Sequence, residues 1–152
     1  MGVSRNINIQ FYTEIDNPYE LLKKFLIGFW IEYDSSTISM FYIDDTDNDV
    51  LPYEIAFNQT KSLITKRFNK HKVNTISFLV FQLNEVIIMS AEEKENDYND
   101  EHLYEIWLSP GGANTLNEFK RNTDFSYYLN RILPRLESIG CQIWDIKCHD
   151  IG

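Results

Sequence analysis

Between residues 25 and 60 the chain has no lysine and no arginine, while the same window holds Glu32, Asp34, Asp44, Asp45, Asp47, Asp49 and Glu54. With a second acidic stretch at 92–101, this accounts for most of the formal net charge of -9. Fixed negative charge of this density repels nucleic acid and bilayer headgroups and attracts basic protein surfaces, its field reaching roughly 8 Å at cell ionic strength. Cysteine is equally scarce. Cys141 and Cys148 are too few for a disulfide framework, and on one predicted strand their spacing points them to opposite faces, so two reduced thiols in a cytoplasmic protein are expected. No stretch approaches the roughly 20 apolar residues of a membrane span, and residues 1–10 lack a signal-peptide run. Gly2 is no myristoylation site either, because Asn6 stands where Ser or Thr is needed.

What is present is a core. The 152 residues are 43% hydrophobic and 14% aromatic, enough for one globular domain spanning 1–152. Ile7, Ile9, Phe11, Thr13 and Ile15 alternate with Asn8, Gln10, Tyr12 and Glu14, the period of a half-buried strand. Asn17, Pro18 and Glu20 then form a helix start, and Leu21, Leu22, Phe25 and Leu26 its apolar stripe. Gly28 is placed to end that helix in the left-handed conformation, in preference to a helix running on to Tyr33. Residues 29–33 and 37–43 are β-prone and joined by Asp34, Ser35 and Ser36, which predicts a hairpin. Residues 53–57 return as a strand with Pro52 at its start, and Asn58 or Thr60 caps a basic helix ending near Lys70.

Residues 75–83 and 86–90 form a second predicted hairpin around Asn84-Glu85, at the sheet centre. Residues 92–101 are too polar for anything but an exposed loop. Residues 102–108 resume a strand, and Pro110-Gly111-Gly112 opens a looping stretch with at most one helical turn. Asp124 caps a last helix carrying Phe125, Tyr128, Leu129, Ile132, Leu133 and Leu136, kinked or broken at Pro134 and ended by Gly140. Residues 141–147 close the domain as a strand. The prediction is an α+β fold, a mostly antiparallel sheet with about three helices packed on it.

Few residues carry a chemical signature. Asp45, Asp47 and Asp49 have the opening spacing of a calcium loop, but Val50 replaces the glycine and Ala56 the bidentate glutamate. Cys141, Cys148 and His149 match no zinc pattern, and Gly111-Gly112 lacks the Lys-Ser/Thr of a phosphate loop. His71, His102 and His149 sit in separate elements without a nucleophile motif, and carboxylates such as Glu32 and Glu105 facing each other across strands would be an acid/base pair of a kind any acidic α+β protein offers by coincidence. The basic run Lys61, Lys66, Arg67, Lys70, His71 and Lys72 reads as an exposed helix face pairing loosely with the acidic segments rather than as a phosphate-binding patch. No catalytic residue, cofactor or metal ligand is assigned. The residues assigned to partner binding are the two acidic runs and their flanking aromatics: Tyr42, Asp44, Asp45, Asp47, Asp49, Tyr53, Glu92, Glu93, Glu95, Asp97, Tyr98, Asp100 and Glu101.

The IDDTDND run at 43–49, the EEKENDYNDE run at 92–101 and the aromatic segments GFWIEYD and SMFYID give a chain that resembles the small acidic immunity proteins of bacterial polymorphic toxin and contact-dependent growth inhibition systems. The resemblance covers size, acidity and α+β make-up over the whole chain and transfers no functional residue. It implies a cytoplasmic, non-enzymatic protein that binds and blocks a cognate toxin domain, often a nuclease whose basic cleft suits an acidic inhibitor. A small enzyme using His102 or His149, and an adaptor or homodimer formed through a strand edge, are the other classes the composition leaves open.

Overall fold

The computed structural model describes residues 4–42, 53–70, 73–80, 85–92, 101–110 and 124–151. Among the described residues seven strands form one sheet: β1 (Ser4–Thr13), β2 (Thr37–Tyr42), β3 (Tyr53–Ala56), β4 (Val73–Val80), β5 (Glu85–Glu92), β6 (His102–Pro110) and β7 (Gln142–Ile151). Their order is β3-β2-β4-β5-β6-β1-β7, and every neighbouring pair is antiparallel. The helices of the described residues, α1 (Pro18–Leu26), α2 (Lys61–Lys70) and α3 (Phe125–Ser138), give with the sheet an α+β fold of the expected kind, with a 3-10 turn at Phe57–Thr60 leading into α2.

The helices share one face of the sheet. Ile7, Ile9 and Phe11 of β1 and Tyr104, Ile106 and Leu108 of β6 are buried in one cluster with Leu21, Leu22, Phe25 and Leu26 of α1, Ile64 of α2, and Tyr128, Ile132 and Leu136 of α3. Strand alternation produces this directly, since residues two apart line one face. Each such side chain, fully buried, contributes roughly 1.5–3 kcal/mol. Aromatic pairs tie the elements together: Phe11 stacks on Tyr104 at 6.1 Å between centroids, and Tyr19 of α1 stacks on Phe57 of the 3-10 turn at 5.1 Å.

Local chemistry explains the helix ends. The Asn17 side chain accepts from the Tyr19 and Glu20 amides, Pro18 occupies the first turn, and Asp124 accepts from the Tyr127 amide. Gly28 and Gly140 adopt φ of 78° and 88° directly after α1 and α3, a region that costs a residue with a Cβ roughly 1–2 kcal/mol. α3 runs unbroken through Pro134, which lies exposed.

Three expectations are corrected. Residues 29–33 form no strand and no hairpin with β2. The left-handed Gly28 turns the chain, the amides of Phe29, Trp30 and Ile31 all return to the Leu26 carbonyl, and the Gly28 amide donates to the Ile31 carbonyl at 2.7 Å. Trp30 and Ile31 are thereby buried beside Phe25, so tertiary burial overrides β propensity. The β4-β5 hairpin does not turn at Asn84-Glu85, because Glu85 already pairs with Val80 and residues 81–84 lie between them. Cys141 and Cys148 do not point to opposite faces either. β7 carries a bulge at Trp144, where partners pass from Gln10↔Asp145 to Phe11↔Ile143. The extra residue reverses the alternation, so both thiols side with the core.

Candidate docking surface

Strand direction decides where the acidic segments emerge. The antiparallel ladder makes β1, β2 and β5 run one way and β3, β4, β6 and β7 the other. The chain therefore enters the 43–52 segment from the end of β2 and leaves it into β3 at the same end of the sheet at which β5 leads into 93–100 and β6 begins. β1 finishes there too, followed by the exposed Glu14 and Asp16. Only β4 separates β2 from β5, so these two exits are about 10 Å apart across the sheet. The basic helix α2 also ends at this edge, at Lys70, because it feeds β4. Two strongly acidic exits thus bracket one basic entry.

Of the residues assigned to partner binding, Tyr42, Tyr53, Glu92 and Glu101 are described, whereas Asp44, Asp45, Asp47, Asp49, Glu93, Glu95, Asp97, Tyr98 and Asp100 lie outside the described residues. Tyr42 closes β2 opposite Ile76, Tyr53 opens β3 opposite Met40, and Glu92 ends β5 opposite both Val73 and Leu103. At the same end the Tyr104 hydroxyl donates to the Asp16 carbonyl at 2.8 Å, and His102 Nε2 lies 3.5 Å from the exposed Asp16 carboxylate. Burial, more than the neighbouring Asp16, pushes the Tyr104 hydroxyl pKa upward and keeps it a neutral donor.

Among the described residues the catalytic and metal candidates stand apart, while His71, Asp45, Asp47, Asp49, Gly111 and Gly112 lie outside the described residues. His102 pairs across β1 with Thr13 and His149 with Asn6, so the two rings stand seven β1 residues apart, roughly 23 Å along the strand. His149 Nε2 meets the Asn6 side-chain amide at 3.2 Å. Glu32 sits exposed in the bend after the Gly28 turn rather than on a strand facing Glu105. Cys148 sits opposite Ile7 on the core side and the adjacent His149 on the other, while Cys141 is buried where burial pushes its thiol up to about 11. Among the described residues no three His, Cys, Asp or Glu side chains gather as metal ligands, and no helix is long and apolar enough to cross a membrane.

The composition did not single out a second feature. On the sheet face opposite α1, α2 and α3, Trp107 of β6 is 44% exposed and Trp144 of β7 is 66% exposed. Trp144 meets Tyr12 edge-on at 5.7 Å, and Tyr12 pairs across β6 with the buried Leu103. The signal was in the alternation: Tyr104, Ile106 and Leu108 are apolar, and Glu105 between them marks the outward row to which Trp107 belongs. Comparison with family models, curated proteins and solved structures finds no match, so the functional reading rests on this chain's own residues.

Proposed function

We propose that this chain is a cytoplasmic immunity protein that binds and neutralises a cognate basic toxin domain of nuclease type, using the end of the sheet where its acidic segments emerge. The observation that supports the reading is topological: segments 50 residues apart in sequence, both rich in Asp and Glu, leave the sheet at one end, with Glu14 and Asp16 beside them. Charges gathered at one end act as one field. That field steers a cationic partner and raises its rate of encounter, while aromatic contacts set how long it stays. A cleft built to hold polyanionic nucleic acid presents the complementary charge, so covering it denies access to substrate.

The test is kinetic. With the partner recovered from the host by co-purification, its association should slow roughly tenfold between low and high salt while dissociation changes little. Association independent of salt would remove the acidic end from the mechanism.

A further inference from the structure

We propose that the sheet face opposite α1, α2 and α3, around Trp107 and Trp144, docks an arginine-bearing surface of a basic protein. This rests on the reading of the chain as a binder of a basic partner and adds the chemistry and the place of the contact. Three neighbouring strands build the surface. In one cross-strand row Gln10 of β1 lies between Glu105 of β6 and Asp145 of β7, and in the next row Asn8 lies between Trp107 and Lys147. Two carboxylates thus stand about 10 Å apart across the sheet, with Trp107 near one and Trp144 near the other. Lys147 reaches Asp145 at 3.7 Å, but both are well exposed and the pair holds weakly.

The edge-strand bulge presents Trp144. The extra residue bends β7 and leaves the indole turned outward against Tyr12 rather than paired into the core. A guanidinium is the group that satisfies both features at once, stacking flat on an indole while donating in-plane to a carboxylate; a lysine ammonium offers neither the plane nor the fork. A second copy of the chain is the poorer occupant. Both copies would carry -9, and the sheet edges that would pair are blunted, β3 by its four residues and β7 by its bulge.

The experiment measures binding of fluorescein-labelled nona-arginine and nona-lysine peptides by anisotropy at physiological salt. The protein should bind nona-arginine roughly threefold to tenfold more tightly, as one or two exposed cation-π contacts allow. W107Q/W144Q should lose that preference while retaining the charge-driven binding common to both peptides, and W144Q alone, at the more exposed position, should lose part of it. Far-UV circular dichroism verifies that both variants stay folded. Equal affinities for the two peptides, or a preference that survives W107Q/W144Q, would overturn the proposal. So would Trp107 and Trp144 indoles in the free protein that acrylamide cannot quench, since the chain itself would then cover the face, or a dimer that W107Q/W144Q dissociates. If reversing the charges at 44–49 weakens both peptides while the arginine preference persists without the two tryptophans, the acidic end docks and this face does not.

Discussion

Arg135 of α3 provides the long-range cap of α1, and replacing it should cost the fold more than any other exposed-face substitution on that helix. The final carbonyls of a helix lack partners within it. Here the Ile27 amide takes Lys23 O, and the turn amides of Phe29, Trp30 and Ile31 all converge on Leu26 O. That leaves Lys24, Phe25 and Ile27 carbonyls, and the Arg135 guanidinium serves all three: Nη2 donates to Lys24 O at 2.7 Å and to Ile27 O, Nε to Phe25 O at 3.2 Å, with Cζ 5.9 Å from the Phe29 ring centroid. Bonds to a charged donor contribute roughly 1.5–3 kcal/mol singly and add incompletely, and a cation at a helix C-terminus adds up to about 1 kcal/mol. Since the site is partly open and water can replace some donors, Arg135→Ala should cost about 3 kcal/mol. With a urea m-value near ~2 kcal/mol/M, the midpoint falls by about 1.5 M, and the melting temperature by roughly 6–12 °C. Arg135→Lys keeps the charge without the fork and should recover only about half. A midpoint shift below about 0.3 M for the alanine variant, or a lysine variant as stable as the parent, would refute the capping account.

Other consequences are simpler to read. Gly28→Ala meets no atom within 4 Å of the new Cβ, so its whole cost is backbone strain at positive φ, about 1–2 kcal/mol by urea denaturation; a neutral result would mean the turn relaxes without loss. Burial raises the Cys141 thiol to about 11, against about 8.5 unfolded. A raised folded value means the unfolded chain releases this proton first, so this thiol's contribution to stability is constant below about pH 8.5 and falls as pH rises towards 11, by about 3 kcal/mol in all. Cys141→Ala should flatten that decline, and an unchanged pH profile would contradict it. Reversing Asp44, Asp45, Asp47 and Asp49 to lysine should slow association with the basic partner at least tenfold at low salt and leave the melting temperature within about 2 °C; unchanged association would show that the partner docks elsewhere.

Much of the architecture was legible because single residues carry strong local rules. The alternation of β1, the caps Asn17 and Asp124, and the positive-φ glycines Gly28 and Gly140 all sit where the sequence places them. Residues 29–33 misled because their β propensity is local, while the burial of Trp30 and Ile31 beside Phe25 is a property of the assembled core. The bulge at Trp144 left no sequence mark, and it alone puts both cysteines on the core side. For the candidate surface, composition located the acidic segments, but their common end of the sheet follows from strand order, which no local pattern encodes. It also passed over Trp107 and Trp144, because a tryptophan in a strand reads as core until its facing row is known.

The central claim is that this protein acts by covering another protein. It is tested most directly by isolating the chain with its bound partner from the native host and assaying the partner's nuclease activity with and without stoichiometric chain. The account predicts an active nuclease when the partner is alone and full silencing at a one-to-one ratio, relieved when the acidic segments are charge-reversed. A partner equally active in both states, or a pure chain that itself turns over a substrate in a manner lost on replacing His102 or His149, would contradict it.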